Sequence, residues 1–175
     1  MGQTQCFESG VSIMRRNDRE ITGRQGIEEI LCGCKTCRIA MIDEGRPYIV
    51  PMSFGYKYFD DGAIELYFHS AKEGKKLDIL KVNSKVGFEI SNEGEAISAE
   101  VPCNLGYYYF SIIGFGEASF IDDIEEKCAA LSSIVKHQAA KDMEITGEQA
   151  EAVCVFKIAS AEYTGKRKQK PMGAL

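Results

Sequence analysis

A chain of 175 residues with 45% hydrophobic and 27% charged residues fits one globular domain, long enough to bury a sizeable core. Its net charge of −5 argues against general nucleic-acid binding. No apolar run approaches the roughly 20 residues of a membrane helix, and the polar stretch from Met1 to Ser12 lacks the apolar centre of a secretion signal. A cytoplasmic protein without nucleic-acid or membrane partners is therefore expected. Residues 1–13 read as a flexible arm, 14–167 as the single domain and 168–175 as a tail.

Gln25 to Cys34 reads as a helix, because Ile27, Ile30 and Leu31 recur at i, i+3 and i+4. Thr22 is a possible cap and Gly33 marks the end. Arg38 to Asp43 is predicted as a strand, and Asp43-Glu44-Gly45-Arg46 as a turn into the next one. From Tyr48 to Tyr58 the chain alternates: Tyr48, Val50, Met52, Phe54 and Tyr56 share one face, and Ile49, Pro51, Ser53 and Gly55 the other. Pro51 cannot donate to a ladder, so it marks an edge, a bulge or a place where the neighbour is not a strand. Asp60-Asp61-Gly62 is a hairpin signal, after which Ile64, Leu66 and Phe68 oppose Glu65, Tyr67 and His69.

Glu73 to Asn83 is predicted as a short helix with Leu77 and Leu80 inward. Val86, Phe88 and Ile90 alternate in a strand, Ser91 to Pro102 is polar and irregular, and Gly106 to Phe120 is a long strand. In the latter, Ser111 shares a face with Tyr107, Tyr109, Ile113 and Phe115. Asp122 caps a helix reaching Gln138, whose stripe Ile124, Cys128, Leu131 and Val135 is core packing; His137 on it is expected to be solvated. Ala152 to Tyr163 is the last strand, and the basic run Lys166 to Pro171 reads as a frayed end. Strands dominate, no βαβ rhythm appears and no GxGxxG follows a strand, which argues against a dinucleotide site of the doubly wound type. The pattern predicts a mainly β chain: an antiparallel, Greek-key-type barrel with flanking helices, whose closure would remove open sheet edges.

Two stretches carry candidate chemistry. Lys75 and Lys76 fall in the first turn of a helix, where the dipole disfavours cations by roughly 0.3–1 kcal/mol each. With Ser70 and free backbone N–H groups, that turn suits a phosphate; the bland alternative is a solvated basic turn. Cys32, Cys34 and Cys37 lie close in sequence among seven cysteines. No second CxxC or HxxxH supplies the fourth ligand of a tetrahedral metal site, so reduced structural thiols are expected and no metal is assigned.

An ordered set of motifs raises the phosphate reading. Met14-Arg15-Arg16-Asn17-Asp18-Arg19-Glu20-Ile21, Cys37-Arg38-Ile39-Ala40-Met41, the run from Pro47 to Tyr56, Tyr67-Phe68-His69-Ser70-Ala71-Lys72-Glu73-Gly74-Lys75-Lys76, the run from Ser111 to Ala118, and Thr164-Gly165-Lys166-Arg167 resemble the landmarks of the 5-nitroimidazole-resistance (Nim-type) proteins, in the same order. These are a branch of the pyridoxamine 5'-phosphate oxidase-like FMN-binding split barrels. Many relatives carry an arginine where Phe110 stands here. The resemblance implies a homodimer with FMN at the subunit interface. It implies flavin contacts from Val50, Pro51, Met52 and Ser53, and phosphate contacts from Ser70, Lys75 and Lys76. Ser111 and Lys166 are further candidates for the cofactor site, with Arg167 as a possible helper. His69 becomes a candidate catalytic acid beside the flavin.

The function this implies is an FMN-dependent oxidoreductase that reduces a small flat acceptor such as a nitroaromatic, with electrons from NAD(P)H or a protein donor. Pyridoxamine phosphate oxidation is the less favoured enzyme reading. From other classes, a split barrel can bind haem, with His69 as ligand, or bind flavin without turnover; and the three clustered cysteines could make a thiol sensor.

Overall fold

The computed structural model describes residues 16–170; the arm, Met14, Arg15 and the tail from Pro171 lie outside them. A 3-10 turn (Asn17–Arg19) leads into β1 (Glu20–Ile21), α1 (Arg24–Gly33), β2 (Thr36–Asp43), β3 (Arg46–Ser53), β4 (Gly55–Tyr58), β5 (Ile64–Ser70), α2 (Lys75–Val82), β6 (Lys85–Ile97), β7 (Gly106–Ile121), α3 (Ile124–Ala139), α4 (Gly147–Glu151) and β8 (Cys154–Lys168). All strand pairs are antiparallel, in the order β3-β2-β6-β7-β8-β5-β4, with β1 added to β8. The links β3 to β4 and β5 to β6 join strands that are not neighbours, as in Greek-key sheets.

The barrel is split rather than closed, which corrects the expectation of an edgeless sheet. β3 and β4 are its two ends, yet the chain steps from one to the other through the single residue Phe54. The sheet must therefore curl until its ends nearly meet. Its inner face holds one core, including Ile39, Met41, Leu66, Phe68, Phe88 and Ile112, closed over by Leu31 of α1 and Leu77 and Leu80 of α2. A second, smaller core lies outside, where Ala130, Leu131 and Ile134 of α3 and Ala150 of α4 pack on Val155 and Tyr67.

α3 covers the β4 end. A Cβ on Gly55 would sit 2.5 Å from the amide nitrogen of Ile134, so glycine alone lets the helix approach this strand. Gln138 Nε2 donates to the carbonyls of Phe54 (2.9 Å) and Lys35 (3.0 Å). His137 is not solvated as expected. Its Nε2 bonds the carbonyl of Cys34 at 2.8 Å, and its ring lies 4.6 Å from Phe54 and 5.1 Å from Tyr56.

Burial lowers the pKa of His137, and this outweighs the bond to Cys34, which favours the cation. A histidine held neutral contributes stability that is present above its unfolded value of about 6.5 and is lost as the pH falls below it. The melting temperature is expected to drop between about pH 7 and pH 5, and less steeply in His137→Gln. Equal slopes in the two proteins would contradict this.

Other differences from the sequence reading are local. The cap of α1 is Gly23 (φ 100°), not Thr22, and makes no side-chain bond. Asp123, not Asp122, caps α3, accepting from the amide of Glu126 at 2.9 Å. Ser91–Ile97, expected to be irregular, continues β6 through a bulge near Glu93. Lys166–Lys168, expected to fray, completes β8.

Candidate functional site

The turn Glu44-Gly45 has positive φ at both positions (49° and 80°), the geometry of a two-residue hairpin loop. Such a loop makes Asp43 and Arg46 a hydrogen-bonded pair, so the register of β2 and β3 fixes every residue beyond. Arg46, Tyr48, Val50 and Met52 spend their backbone groups on β2. Pro47, Ile49, Pro51 and Ser53 turn theirs to the open edge. Pro51 is thus the edge marker that the sequence suggested. Of the four predicted flavin contacts on this strand, Val50 and Met52 send their side chains toward the core, and Pro51 and Ser53 face out.

β5 outruns β4 by three residues, since pairing with β4 ends at Tyr67. His69 and Ser70 lie in this overhang, His69 exposed on the outer face and Ser70 half-buried beside Cys154 of β8. The Ser70 hydroxyl donates to the Ala71 carbonyl at 2.8 Å. Gly74 (φ 141°) then starts α2 without a side-chain cap, leaving the first amides of the helix without helical partners. Lys75 reaches Asp43 at 2.6 Å and lies over the Tyr48 ring, tying α2 to the β2–β3 hairpin. Lys76 is half-buried and has no ion pair among the described residues.

Ser111 and Lys166 lie elsewhere. They are cross-strand partners on β7 and β8, and Ser91 of β6 is the other partner of Ser111. Ser53 and Thr36 are partners at the same level of β3 and β2. The outward hydroxyls of Ser53, Thr36, Ser91 and Ser111 thus form a row across the sheet that ends at Lys166, a row that needs the register to be seen. Beside it lie Pro51, Arg38, Glu89 and Ile113, with Arg38 bonded to Glu89 at 2.8 Å, and then Ile49, Ala40, Gly87 and Phe115. Ile49, Ile113 and Phe115 are 59%, 54% and 60% exposed. This half of the outer face is bare and apolar, whereas α3 covers the other half. Within one chain the predicted contacts form two groups, one at the β3 edge and α2 and one on β7 and β8.

Arg167, the proposed helper, faces inward under α1. It bonds Glu29 at 2.7 Å and lies over Phe110, so it is not part of the hydroxyl row. The three cysteines do not converge either. Cys32 is exposed, while Cys34 and Cys37 are buried in the core. Burial pushes the Cys34 thiol up to about 11 and the Cys37 thiol higher still, away from the reactive thiolate. No helix of the described residues is long and apolar enough to cross a membrane.

The chain is a split antiparallel barrel with a filled inner core and an outer face half covered by α3 and half bare. The family profile of pyridoxamine 5'-phosphate oxidase matches residues 23–167, and the chain belongs to this pyridoxamine 5'-phosphate oxidase-like family. It is similar to a candidate 5-nitroimidazole antibiotic resistance protein from Bacteroides thetaiotaomicron, with 32% identity, a TM-score of 0.71, and coverage of 85% of this chain and 86% of that one. The fold is also shared with a flavocytochrome from Azotobacter vinelandii (18% identity, TM-score 0.74, covering 91% and 73%). A third similar structure is an FAD and heme binding protein from Mycobacterium smegmatis (18%, 0.71, covering 87% and 74%). A search among curated proteins returns no match.

Proposed function

We propose that the chain is a flavoprotein which holds FMN between two copies of itself and reduces small flat acceptors, nitroaromatic compounds among them. The observation that carries this reading is the division of the candidate contacts. Ser70 and Lys76 lie where β5 runs on into α2, whereas Lys166 lies twelve residues along β8 from Cys154, the partner of Ser70, with Ser111 beside it on β7; Ser53 is on the end strand β3, and the exposed Ile49, Ile113 and Phe115 share the outer face. A second copy seated on that face brings one chain's edge group to the other chain's β7–β8 group.

The chain's own groups fit such a cofactor. Lys76, the Ser70 hydroxyl and the unpartnered amides of α2 suit a phosphate. The β3 edge offers the carbonyls of Pro51 and Ser53 and the Ser53 amide to a polar ring edge. The exposed Lys75–Asp43 pair, of a kind worth about 1 kcal/mol or less, can yield to a phosphate. When bound, the flavin supplies the redox chemistry; His69, exposed at the same end, donates the proton an acceptor needs.

The deciding experiment combines absorbance, mass spectrometry of the released ligand and light scattering on the native protein. The expected result is a dimer, with an interface above the roughly 1,200 Å² of stable complexes, that releases FMN. A monomer with FMN bound contradicts the shared site. Release of FAD replaces FMN by the dinucleotide, and a Soret band in place of flavin bands favours the haem reading.

Lys76→Ala is expected to weaken FMN binding tenfold or more, because a hydrogen bond to a charged group is worth roughly 1.5–3 kcal/mol. An unchanged constant in flavin-fluorescence titration removes Lys76 from the site.

A further inference from the structure

The two rims of the split barrel differ. Among the described residues the outward backbone groups of β3 are open, whereas side chains of α3 occupy the rim of β4. Ser133 Oγ donates to the Tyr56 carbonyl at 3.3 Å. Further along the helix, Gln138 Nε2 donates to the carbonyls of Phe54 and Lys35. The last turn of α3 thus reaches past β4 to the residue that joins the two rims. Phe54 is wholly buried, its ring lies against His137 and its carbonyl accepts from Gln138, so one helical turn holds both its side chain and its peptide.

The same turn grips the entry to β2. The Cys34 carbonyl is bonded by His137 and the Lys35 carbonyl by Gln138, while Lys35 Nζ donates to the His137 carbonyl. An ammonium at that carbonyl suits the negative end of the helix dipole. The register shows what lies between these anchors. Met52 and Cys37 are the last hydrogen-bonded pair of the β2–β3 ladder, and the next pair, Thr36 and Ser53, exchanges no backbone bond. Ser53 is therefore held by the ladder at Met52 on one side and by Gln138, through Phe54, on the other. With Pro51 it carries the free groups of the open rim.

We infer that Gln138 is a positioning residue for the cofactor, acting through Phe54 to fix the open edge at Ser53 where that edge meets the flavin ring. The inference rests on the reading of the chain as a flavoprotein, and it separates the residue that sets the ring edge from those that hold the phosphate. A strand end bonded on one side only can pivot, and hydrogen bonds to a flat ring need their groups held to within about 0.5 Å.

Two flavins serve as probes: FMN carries ring and phosphate, riboflavin the ring alone. Each is titrated into the full chain by fluorescence. Gln138→Met keeps the side chain's length and removes its donors. It is expected to weaken FMN and riboflavin alike, about tenfold, the loss of one or two well-placed hydrogen bonds to the ring. Lys76→Ala, by contrast, should weaken FMN alone. Ser133→Ala frees the Tyr56 carbonyl on the same helix, and should lower the melting temperature while leaving both affinities unchanged. In flavin-free Gln138→Met, hydrogen exchange at the Met52 and Cys37 amides should quicken. Gln138→Glu, an isostere without donors when ionised, should behave as Gln138→Met does, and serves if that variant folds poorly. Wild-type affinity for both flavins in the Gln138 variants overturns the inference and leaves the flavin reading standing. So does a loss confined to FMN, which would run through the phosphate. A wild-type chain that takes up neither flavin overturns the flavin reading and the inference with it.

Discussion

Replacing His69 by alanine is expected to leave flavin content intact and to slow acceptor reduction roughly 10²–10⁴-fold, the usual effect of removing a positioned acid or base. The expectation follows from where β5 ends. His69 lies in the overhang beyond β4, points away from the core, and directly precedes the hydroxyl and helix start that suit a phosphate. The chain's other histidine is committed to the Cys34 carbonyl and packed against two aromatic rings, so it cannot serve an acceptor. Steady-state nitroreduction, absorbance spectra and thermal melting on the same preparations separate the cases. Normal turnover in a flavin-replete variant excludes His69 from the reaction, and loss of a Soret band marks it as a haem ligand. A lower melting temperature with unchanged turnover makes it structural.

Gly55→Ala should be the most damaging single-methyl change at the seam of the barrel. The new Cβ would meet the Ile134 nitrogen at 2.5 Å and the Ser133 carbonyl carbon at 2.7 Å. Both are backbone atoms inside a helix, so no side chain can turn aside. Overpacking against movable neighbours costs about 1–3 kcal/mol. Here α3 must lift, disturbing Ile134 and Leu131 in the outer core and the Gln138 bonds to Phe54 and Lys35. A loss of about 3 kcal/mol or more is expected, which lowers the melting temperature by about 6 °C or more in a chain of this size. A fall of less than about 2 °C would show that α3 shifts freely and is no clamp.

The elements with one buried face were legible in the sequence, because burial writes a period into it. The alternation through β3, β4 and β5 and the inward residues of α1 and α2 follow that rule. What stayed hidden has no such period. The break at Phe54 carries no signal, since Met52, Phe54 and Tyr56 keep alternating while the chain changes sheet edge. The arm from Ser91 to Ile97 is held by its ladder to β7 and is largely solvated, so its polar residues read as a loop. Lys166–Lys168 looked like a frayed end because its partners on β7, Ser111 to Tyr109, lie 55 to 59 residues away in sequence. His137 looked like any polar residue in a last helical turn until Phe54 and Tyr56 were folded against it.

In the site, the proline edge and the helix start could be read from residue types alone. The separation of Ser111 and Lys166 from Ser70 could not, because it depends on the register along β8.

The prolines of β3 have one further consequence. An unpaired strand at the end of a sheet is a template on which other chains can grow, and a barrel left open risks polymerising through its own gap. With Pro47 and Pro51 at two of the four outward-turned backbone positions, the rim of the gap keeps its acceptors but loses half of its donors. An incoming strand would find no continuous ladder, while a compact polar molecule needing a few donors and acceptors is still served. The opening can remain accessible to a ligand without inviting fibril-like growth.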